Sequence, residues 1–150
     1  MERDSQYYID KGYINLNDDV EFRIMADAAS CFGKSYKRLQ PSYFRHPKER
    51  NKRLWFPKLY ENNNWNNQIS ADESVIISKS NFFERTKEEV DKTDKDEDFI
   101  VVVFAREKND SGKLMYRFKG EYQLDQSETN YETGQVWKRI ATSVKTYPTA

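Results

Sequence analysis

Residues 34–58 carry the side chains of this sequence that are best suited to bind a polyanion. The segment has nine cationic residues and one acidic residue, Glu49, so its net charge is about +8 within a chain of zero formal net charge. Lysine and arginine on one surface release counterions from a phosphate backbone, which drives salt-dependent binding. We therefore predict contacts with the backbone of a nucleic acid. The cations are Lys34, Lys37, Arg38, Arg45, Lys48, Arg50, Lys52, Arg53 and Lys58.

Aromatic rings lie among and beside these cations. Exposed rings next to cations form stacking platforms for bases that have left a helix. The other interpretation is a solvated basic face whose rings belong to the core, with Leu54 and Phe56 pointing inward and Trp55 alone outside. The sequence leaves both interpretations open. The rings are Tyr36, Tyr43, Phe44, Trp55, Phe56 and Tyr60.

A second unusual stretch, residues 61–73, places Trp65 among five asparagines and a glutamine. Amide side chains recognise base edges, and a ring with a nearby carboxylate can hold a flipped base. Trp65 with Asp72 or Glu73 could form such a site. The alternative is a tryptophan that anchors a polar loop, or a short helical turn, onto the core.

Several kinds of chemistry are excluded by what the sequence lacks. His46 is the only histidine and Cys31 the only cysteine, so a histidine pair, a structural zinc site and an intrachain disulfide are excluded. Glycine-rich phosphate loops and a GxSxG elbow are also missing. We expect no catalytic residue, no metal and no cofactor, and a buried, unreactive Cys31. Carboxylates at Asp96, Glu97, Asp98 and Glu107 could form a metal-dependent nuclease site, but the usual acidic-x-Lys ending is absent.

The pattern of the chain predicts one α+β domain, residues 1–150, with a twisted, mostly antiparallel sheet. An extended piece over 7–16 precedes a helix over 17–33, which Asn17 and Asp18 would cap. Strands are expected at 74–80, 99–107, 114–124 and 135–147, and a solvated acidic loop at 84–98. In the third strand Gly120 indicates a bulge, and in the last Val136, Ile140 and Val144 would share a face. One face of the third strand would carry Leu114, Tyr116, Phe118, Tyr122 and Leu124.

Three segments together, RLWFPKLYENNNWNNQIS, MYRFKGEYQLD and VWKRIATSVKTY, resemble a known family. They are similar to the SRA-like readers of modified cytosine in prokaryotic type IV, modification-dependent restriction enzymes, over about residues 10–147. The resemblance implies a PUA-like partial β-barrel with flanking helices and basic loops that bind duplex DNA. A 5-methyl or 5-hydroxymethyl cytosine would flip into an aromatic cage, where an acidic side chain binds its Watson–Crick edge. Carried onto this sequence, the cage residues are Trp55, Tyr60, Trp65 and Asp72.

Three hypotheses follow. The first is a non-catalytic, cytoplasmic DNA-binding domain without membrane contact, excised from a larger enzyme whose other domains are a nuclease and a helicase. The second is a small anti-defence or regulatory protein that binds another protein and mimics nucleic acid through residues 84–98. The third is a metal-dependent nuclease that uses Asp98 and Glu107.

Overall fold

One large β-sheet and two short helices make up most of the protein, in a computed structural model that describes residues 3–38, 41–59, 65–80, 100–130 and 132–149. None of the helices in these ranges has the length and apolar character needed to cross a membrane. The helices are α1 (Ser5–Lys11) and α2 (Met25–Ala29), with a 3-10 turn at Leu16–Asp18. The strands are β1 (Tyr13–Asn15), β2 (Glu21–Phe22), β3 (Tyr43–Arg45), β4 (Lys52–Trp55), β5 (Trp65–Ile69), β6 (Val75–Ser80), β7 (Ile100–Lys108), β8 (Leu114–Leu124), β9 (Gln135–Ala141) and β10 (Ser143–Lys145).

The large sheet has the strand order β3-β4-β7-β8-β9-β6-β5, and β2 also pairs with β8. Strands β1 and β10 form a separate two-stranded sheet. The pairing of β4 with β7 is parallel, whereas the other pairs among the described residues are antiparallel. The prediction of a mostly antiparallel sheet with few helices is confirmed. The pairing does not close into a barrel within the described ranges.

Strand β7 is buried on both faces, which explains its nearly continuous apolar sequence. On one face Val102 and Phe104 belong to what we call the first core, which α1, β1 and α2 cover. On the other face Val101 and Val103 belong to the second core, where Trp55 of β4 meets Trp137 of β9 with ring centroids 5.4 Å apart. Two strands separate β4 from β9, roughly 14 Å along a flat sheet. The sheet therefore curls around the second core.

Gly120 forms the predicted bulge and redirects the rest of β8. Val103 pairs with Gly120 but Phe104 pairs with Phe118, so one residue of β8 is extra. A one-residue shift moves every later side chain to the opposite face. Phe118 consequently lies in the first core and Tyr122 in the second. The prediction that one face carries the apolar residues throughout β8 was wrong beyond the bulge.

The helix predicted over residues 17–33 is wrong, and only α2 within that range is α-helical. Asp19 has a left-handed backbone (φ 52°) and ends the 3-10 turn. Val20 and Phe22 are then extended, because β2 pairs with β8 and the Val20 carbonyl accepts the N–H of Phe118 at 3.0 Å. Both side chains are buried, so pairing with the sheet outweighs the local helical pattern.

The chain before residue 12 also differs from the prediction, since the first half of the expected extended piece, residues 7–11, belongs to α1. Asp4 caps this helix by accepting the N–H of Tyr7, and Gly12 ends it with φ 90°. The region expected as a polar loop or turn contains β5, and the last predicted strand is divided into β9 and β10. Within it Ile140 is 48% exposed, whereas Val136 and Val144 are buried. The acidic stretch 84–98 lies outside the described residues.

Candidate nucleic-acid interface

The turn between β3 and β4, residues 46–51, presents cations to solvent, and we call it the basic turn. Lys48 and Arg50 are exposed in the turn, and Arg45 is exposed at the end of β3. The exposed cations Lys34, Lys37 and Arg38 lie on the segment that follows α2. Together these six side chains form what we call the basic face.

Contacts between the two segments hold the basic face together. Gly33 has φ 106°, and a Cβ added there would lie 2.6 Å from both Cγ and Cε of Lys48, so the lysine stem runs directly over this glycine. Nearby, the ring of Tyr36 packs against Phe44 of β3 at 5.8 Å. The two basic segments are therefore adjacent, and phosphates of one nucleic acid could contact both.

His46 organises the basic turn from inside. Its Nδ1 accepts the backbone N–H groups of Lys48 at 3.0 Å and Glu49 at 3.1 Å. Its ring lies between Phe32 and Tyr147, with centroids 5.3 and 5.6 Å away. Burial lowers the pKa of His46 to about 4, so the imidazole is neutral at physiological pH and keeps Nδ1 free to accept these bonds. The histidine of this sequence is thus a structural residue.

Three of the nine predicted backbone contacts lie apart from the basic face. Lys52 is half-buried and its Nζ is 2.5 Å from Oε2 of Glu121. Arg53 is half-buried as well, and its guanidinium lies over the ring of Tyr43 at 5.3 Å. Lys58 is exposed, but it lies beyond the opposite end of β4 from the basic turn.

Most rings of the basic segment are core residues. Phe44, Phe56 and Phe104 are stacked in the first core, with centroids 6.0 and 5.7 Å apart. Trp55, 9% exposed, packs on Trp137 in the second core. Strand β4 is covered on both faces. These aromatic residues therefore do not form an exposed stacking platform, and Trp55 does not point to solvent. Leu54 and Phe56 point inward, as the second interpretation expected.

The four predicted cage residues are spread over several elements. Trp55 lines the second core, and Tyr60 lies outside the described residues. Trp65 is the first residue of β5 and pairs with Ser80, whereas Asp72 lies in the turn at the other end of the β5–β6 hairpin. The backbone rise from Trp65 to Ile69 alone is about 14 Å. The backbones of Trp65 and Asp72 therefore lie at opposite ends of the β5–β6 hairpin.

Asp72 shapes the β5–β6 turn. Its Oδ1 accepts the Ser74 hydroxyl at 2.7 Å, the Ser74 N–H at 3.1 Å and the Ser70 hydroxyl at 2.8 Å. These hydrogen bonds, with those from Ser74 the strongest, lower the pKa of Asp72 to about 2. With this low pKa the exposed carboxylate stays ionised. Because all three bonds fall on Oδ1, Oδ2 remains available to accept another hydrogen bond.

Lys119 and Tyr122, which the sequence did not mark as site residues, contact this turn. Lys119, 4% exposed, lies 2.6 Å from Glu73 and 2.5 Å from Glu107, and the Tyr122 hydroxyl donates to the Glu73 carbonyl. Glu73 has a left-handed backbone (φ 62°), which these contacts hold in place. The alternating pattern of β8 placed Lys119 on the face opposite the apolar residues, and the bulge at Gly120 was the only signal in the sequence that this pattern would change.

Two further polar groups lie along the curled sheet. Asn67 of β5 is buried, accepts the Ser78 hydroxyl at 2.6 Å and donates to the Lys58 carbonyl at 3.1 Å. Trp137 is fully buried, and its Nε1–H has no hydrogen-bond partner in the part of the chain that the structure describes. The Asn67–Lys58 bond links β5, at one end of the sheet, to the segment that follows β4.

The arrangement gives no group of three or more histidine, cysteine or acidic side chains placed for a metal within the described ranges. Glu107, a carboxylate of the nuclease hypothesis, contacts Lys119. Asp96, Glu97 and Asp98 lie outside the described residues. Cys31 is buried and burial raises the pKa of its thiol, as expected for an unreactive cysteine.

A family model for the SET and RING associated domain (SRA) matches residues 7–146. The chain belongs to the SRA family. Among solved structures, this SRA domain is similar to the 5-hydroxymethylcytosine-specific restriction enzyme AbaSI, with 37% sequence identity over 98% of the domain and a TM-score of 0.83. The domain spans 46% of the AbaSI chain. A search of the curated proteins finds no match.

Proposed function

We propose that this SRA domain binds double-stranded DNA that contains 5-methyl or 5-hydroxymethyl cytosine, and that it directs a restriction system to such DNA. The observation that carries the proposal is the similarity to AbaSI, a 5-hydroxymethylcytosine-specific enzyme, over 98% of this chain. The basic face supports it, because six exposed cations on adjacent segments can contact one phosphate backbone. Nothing in the comparisons supports the alternative of a protein-binding anti-defence or regulatory protein.

We further propose that the modified base leaves the helix and enters the concave side of the curled sheet, a partial barrel, next to the second core. Tyr60 and Trp65 would supply aromatic surface, the buried Trp55 would act only through the packing of the second core, and Asp72 would accept the exocyclic amino group of cytosine through Oδ2. Flipping costs a few kcal/mol, which stacking and hydrogen bonds must offset. Since a methyl group adds only about 0.8 kcal/mol of apolar contact, the shape of the pocket must supply the rest of the discrimination.

The domain itself would perform no chemistry in this proposal. Cleavage would belong to a nuclease domain, and strand separation to a helicase domain, of the same cytoplasmic enzyme. Incubation of plasmid DNA with the domain and magnesium tests this point, and we expect no nicking. Cleavage that disappears in a Glu107→Ala variant would instead support the nuclease hypothesis.

The deciding experiment is a salt-titrated binding assay on matched duplexes with cytosine, 5-methylcytosine or 5-hydroxymethylcytosine at one position. We expect a preference of at least about tenfold for a modified duplex. The slope of log K against log salt should be steep, approaching −5 if all six cations of the basic face contact phosphates. Equal affinity for the three duplexes would leave a general DNA-binding domain, and an absence of binding would refute the proposal.

Variants test the pocket separately from the basic face. Trp65→Ala should weaken binding to the modified duplex roughly fivefold to a hundredfold, which is the range measured for a lost base–aromatic stack. Asp72→Asn keeps the turn acceptor but removes the charge, and should cost about fivefold. Lys113→Gln, an exposed lysine in the β7–β8 turn, is the control and should change nothing. A 2-aminopurine next to the modified cytosine should brighten on binding if the base flips.

A further inference from the structure

Lys52 belongs to the basic segment in sequence, but its ammonium group faces two carboxylates. Its Nζ lies 2.5 Å from Oε2 of Glu121 on β8 and 3.4 Å from Oε1 of Glu49 in the basic turn. The lysine side chain is 15% exposed and that of Glu121 is 9% exposed. Burial disfavours the charged lysine, but the hydrogen bond and charge of Glu121 together with Glu49 outweigh it and raise the pKa of Lys52.

Glu49 connects Lys52 to the basic turn. Its carbonyl accepts the N–H of Lys52 at 3.2 Å, and its Oε2 lies 3.8 Å from Nε2 of His46. Burial and the nearby Glu49 carboxylate raise the pKa of Tyr147, whose ring lies against His46. The carboxylate therefore lies close to Lys52, His46 and Tyr147, and the backbone on either side of it carries Lys48 and Arg50.

We infer that Lys52 is a positioning residue, which fixes the basic turn through Glu49 and Glu121 instead of contacting a phosphate. The inference rests on the proposed function, because it concerns how the basic face binds DNA. A phosphate oxygen would have to displace two carboxylates to reach Nζ, and the three groups together have a charge of −1. Lys52 thus adds no free positive charge to the basic face. It holds Lys48 and Arg50 in place before DNA arrives.

Salt dependence separates a positioning lysine from a phosphate-binding one. A lost phosphate contact lowers the slope of log K against log salt by about 0.9, whereas a loosened turn weakens binding without changing the number of contacts. Lys48→Gln and Arg50→Gln should each lower the slope by about 0.9. Lys52→Met should weaken binding roughly fivefold or more, which is the cost of ordering about one backbone residue, and leave the slope unchanged.

Glu49→Gln gives a test in which the two roles have opposite signs. It leaves the Lys52–Glu121 pair intact and removes an anion next to the basic face. If charge alone mattered, this variant would bind DNA more tightly. If Glu49 positions the turn, it should bind about threefold to fivefold more weakly. Lys113→Gln is again the control.

Amide hydrogen exchange of the free protein provides a readout without DNA. In Glu49→Gln and Lys52→Met, the amides of Lys48 and Glu49, which bond to His46, should exchange at least about fivefold faster, while those of β7 stay protected. A slope lowered by about 0.9 in Lys52→Met, tighter binding by Glu49→Gln, or unchanged exchange in the turn would each overturn the inference. The exchange result holds whether or not the wild-type domain prefers modified DNA, so a failure of the proposed function is a separate outcome.

Discussion

Acidification should destabilise the protein through His46, whose side chain is buried under Phe32 and Tyr147. The neutral ring accepts two backbone N–H groups through Nδ1. A proton on that nitrogen would replace both acceptor bonds with a donor facing two donors. Folding therefore favours the neutral form, and the unfolded chain binds the proton more readily than the folded one.

The pKa of about 4 in the folded protein, against about 6.5 for an unperturbed histidine, sets the magnitude and the sign. The folded pKa is depressed, so the stabilisation is complete above pH 6.5 and is lost as the pH falls from 6.5 to 4. Below pH 4 the folded protein also takes up the proton and the loss stops growing. At 1.4 kcal/mol per pKa unit, the difference amounts to about 3 kcal/mol.

Denaturant unfolding between pH 7.5 and 4 measures this loss, with His46→Asn as the matched variant. Asparagine places an acceptor near the position of Nδ1 but does not titrate. Protonation of the carboxylates changes the free energy of unfolding of both proteins equally, so it cancels in the comparison. We expect the wild type to lose about 3 kcal/mol more than the variant across this range. An NMR titration should place the His46 midpoint near 4. A midpoint near 6.5, or parallel pH profiles for the two proteins, would refute the reasoning.

Two other substitutions test the packing that positions the site, each by denaturant unfolding. Gly120→Ala places a Cβ 2.5 Å from the Ala141 carbonyl oxygen at φ 114°, and should lower the free energy of unfolding by at least about 2 kcal/mol. The control is Gly112→Ala, which has φ 80° but open space around it and should lower it by only about 1 kcal/mol. Equal losses would show that the contact with Ala141 is unimportant. Lys119→Met removes the cation between the carboxylates of Glu73 and Glu107 and should lower the free energy of unfolding by about 2–3 kcal/mol. This is below the range for fully buried pairs because both carboxylates are partly exposed. A loss under about 0.5 kcal/mol would contradict this expectation.

The elements that the sequence predicts correctly are those with a strong local signal. Strand β7 is a long β-branched run, and β8 alternates up to its glycine. The predicted helix over 17–33 failed because the apolar residues Val20 and Phe22 are compatible both with a helix and with an extended segment that pairs with β8. That choice is made by the tertiary partner, which no local pattern contains. The bulge at Gly120 was predictable, but its effect on Tyr122 depends on pairing register.

The candidate site shows the same limit. Residue types alone located the basic segment, yet they did not separate Lys48, which is exposed, from Lys52, which is held by two carboxylates. One of those carboxylates, Glu121, is distant in sequence and lies on β8. Trp55 likewise differs from an exposed ring only because β4 is covered on both faces. Which cations are available and which rings are buried follow from the topology of the sheet.

The same topology explains how a chain of zero net charge can present a basic face. Among the described residues, many anions are paired with cations elsewhere: Asp18 with Lys11, Asp19 with Arg117, and Glu128 with Lys138. Glu73 and Glu107 share Lys119. Near the basic turn, Glu49 and Glu121 both face Lys52, and Arg45, Lys48 and Arg50 have no carboxylate contact of this kind with any residue that the structure describes. Neutrality of the whole chain is thus compatible with a strong local field, since a phosphate backbone interacts with the cations within about 10 Å and not with the total charge.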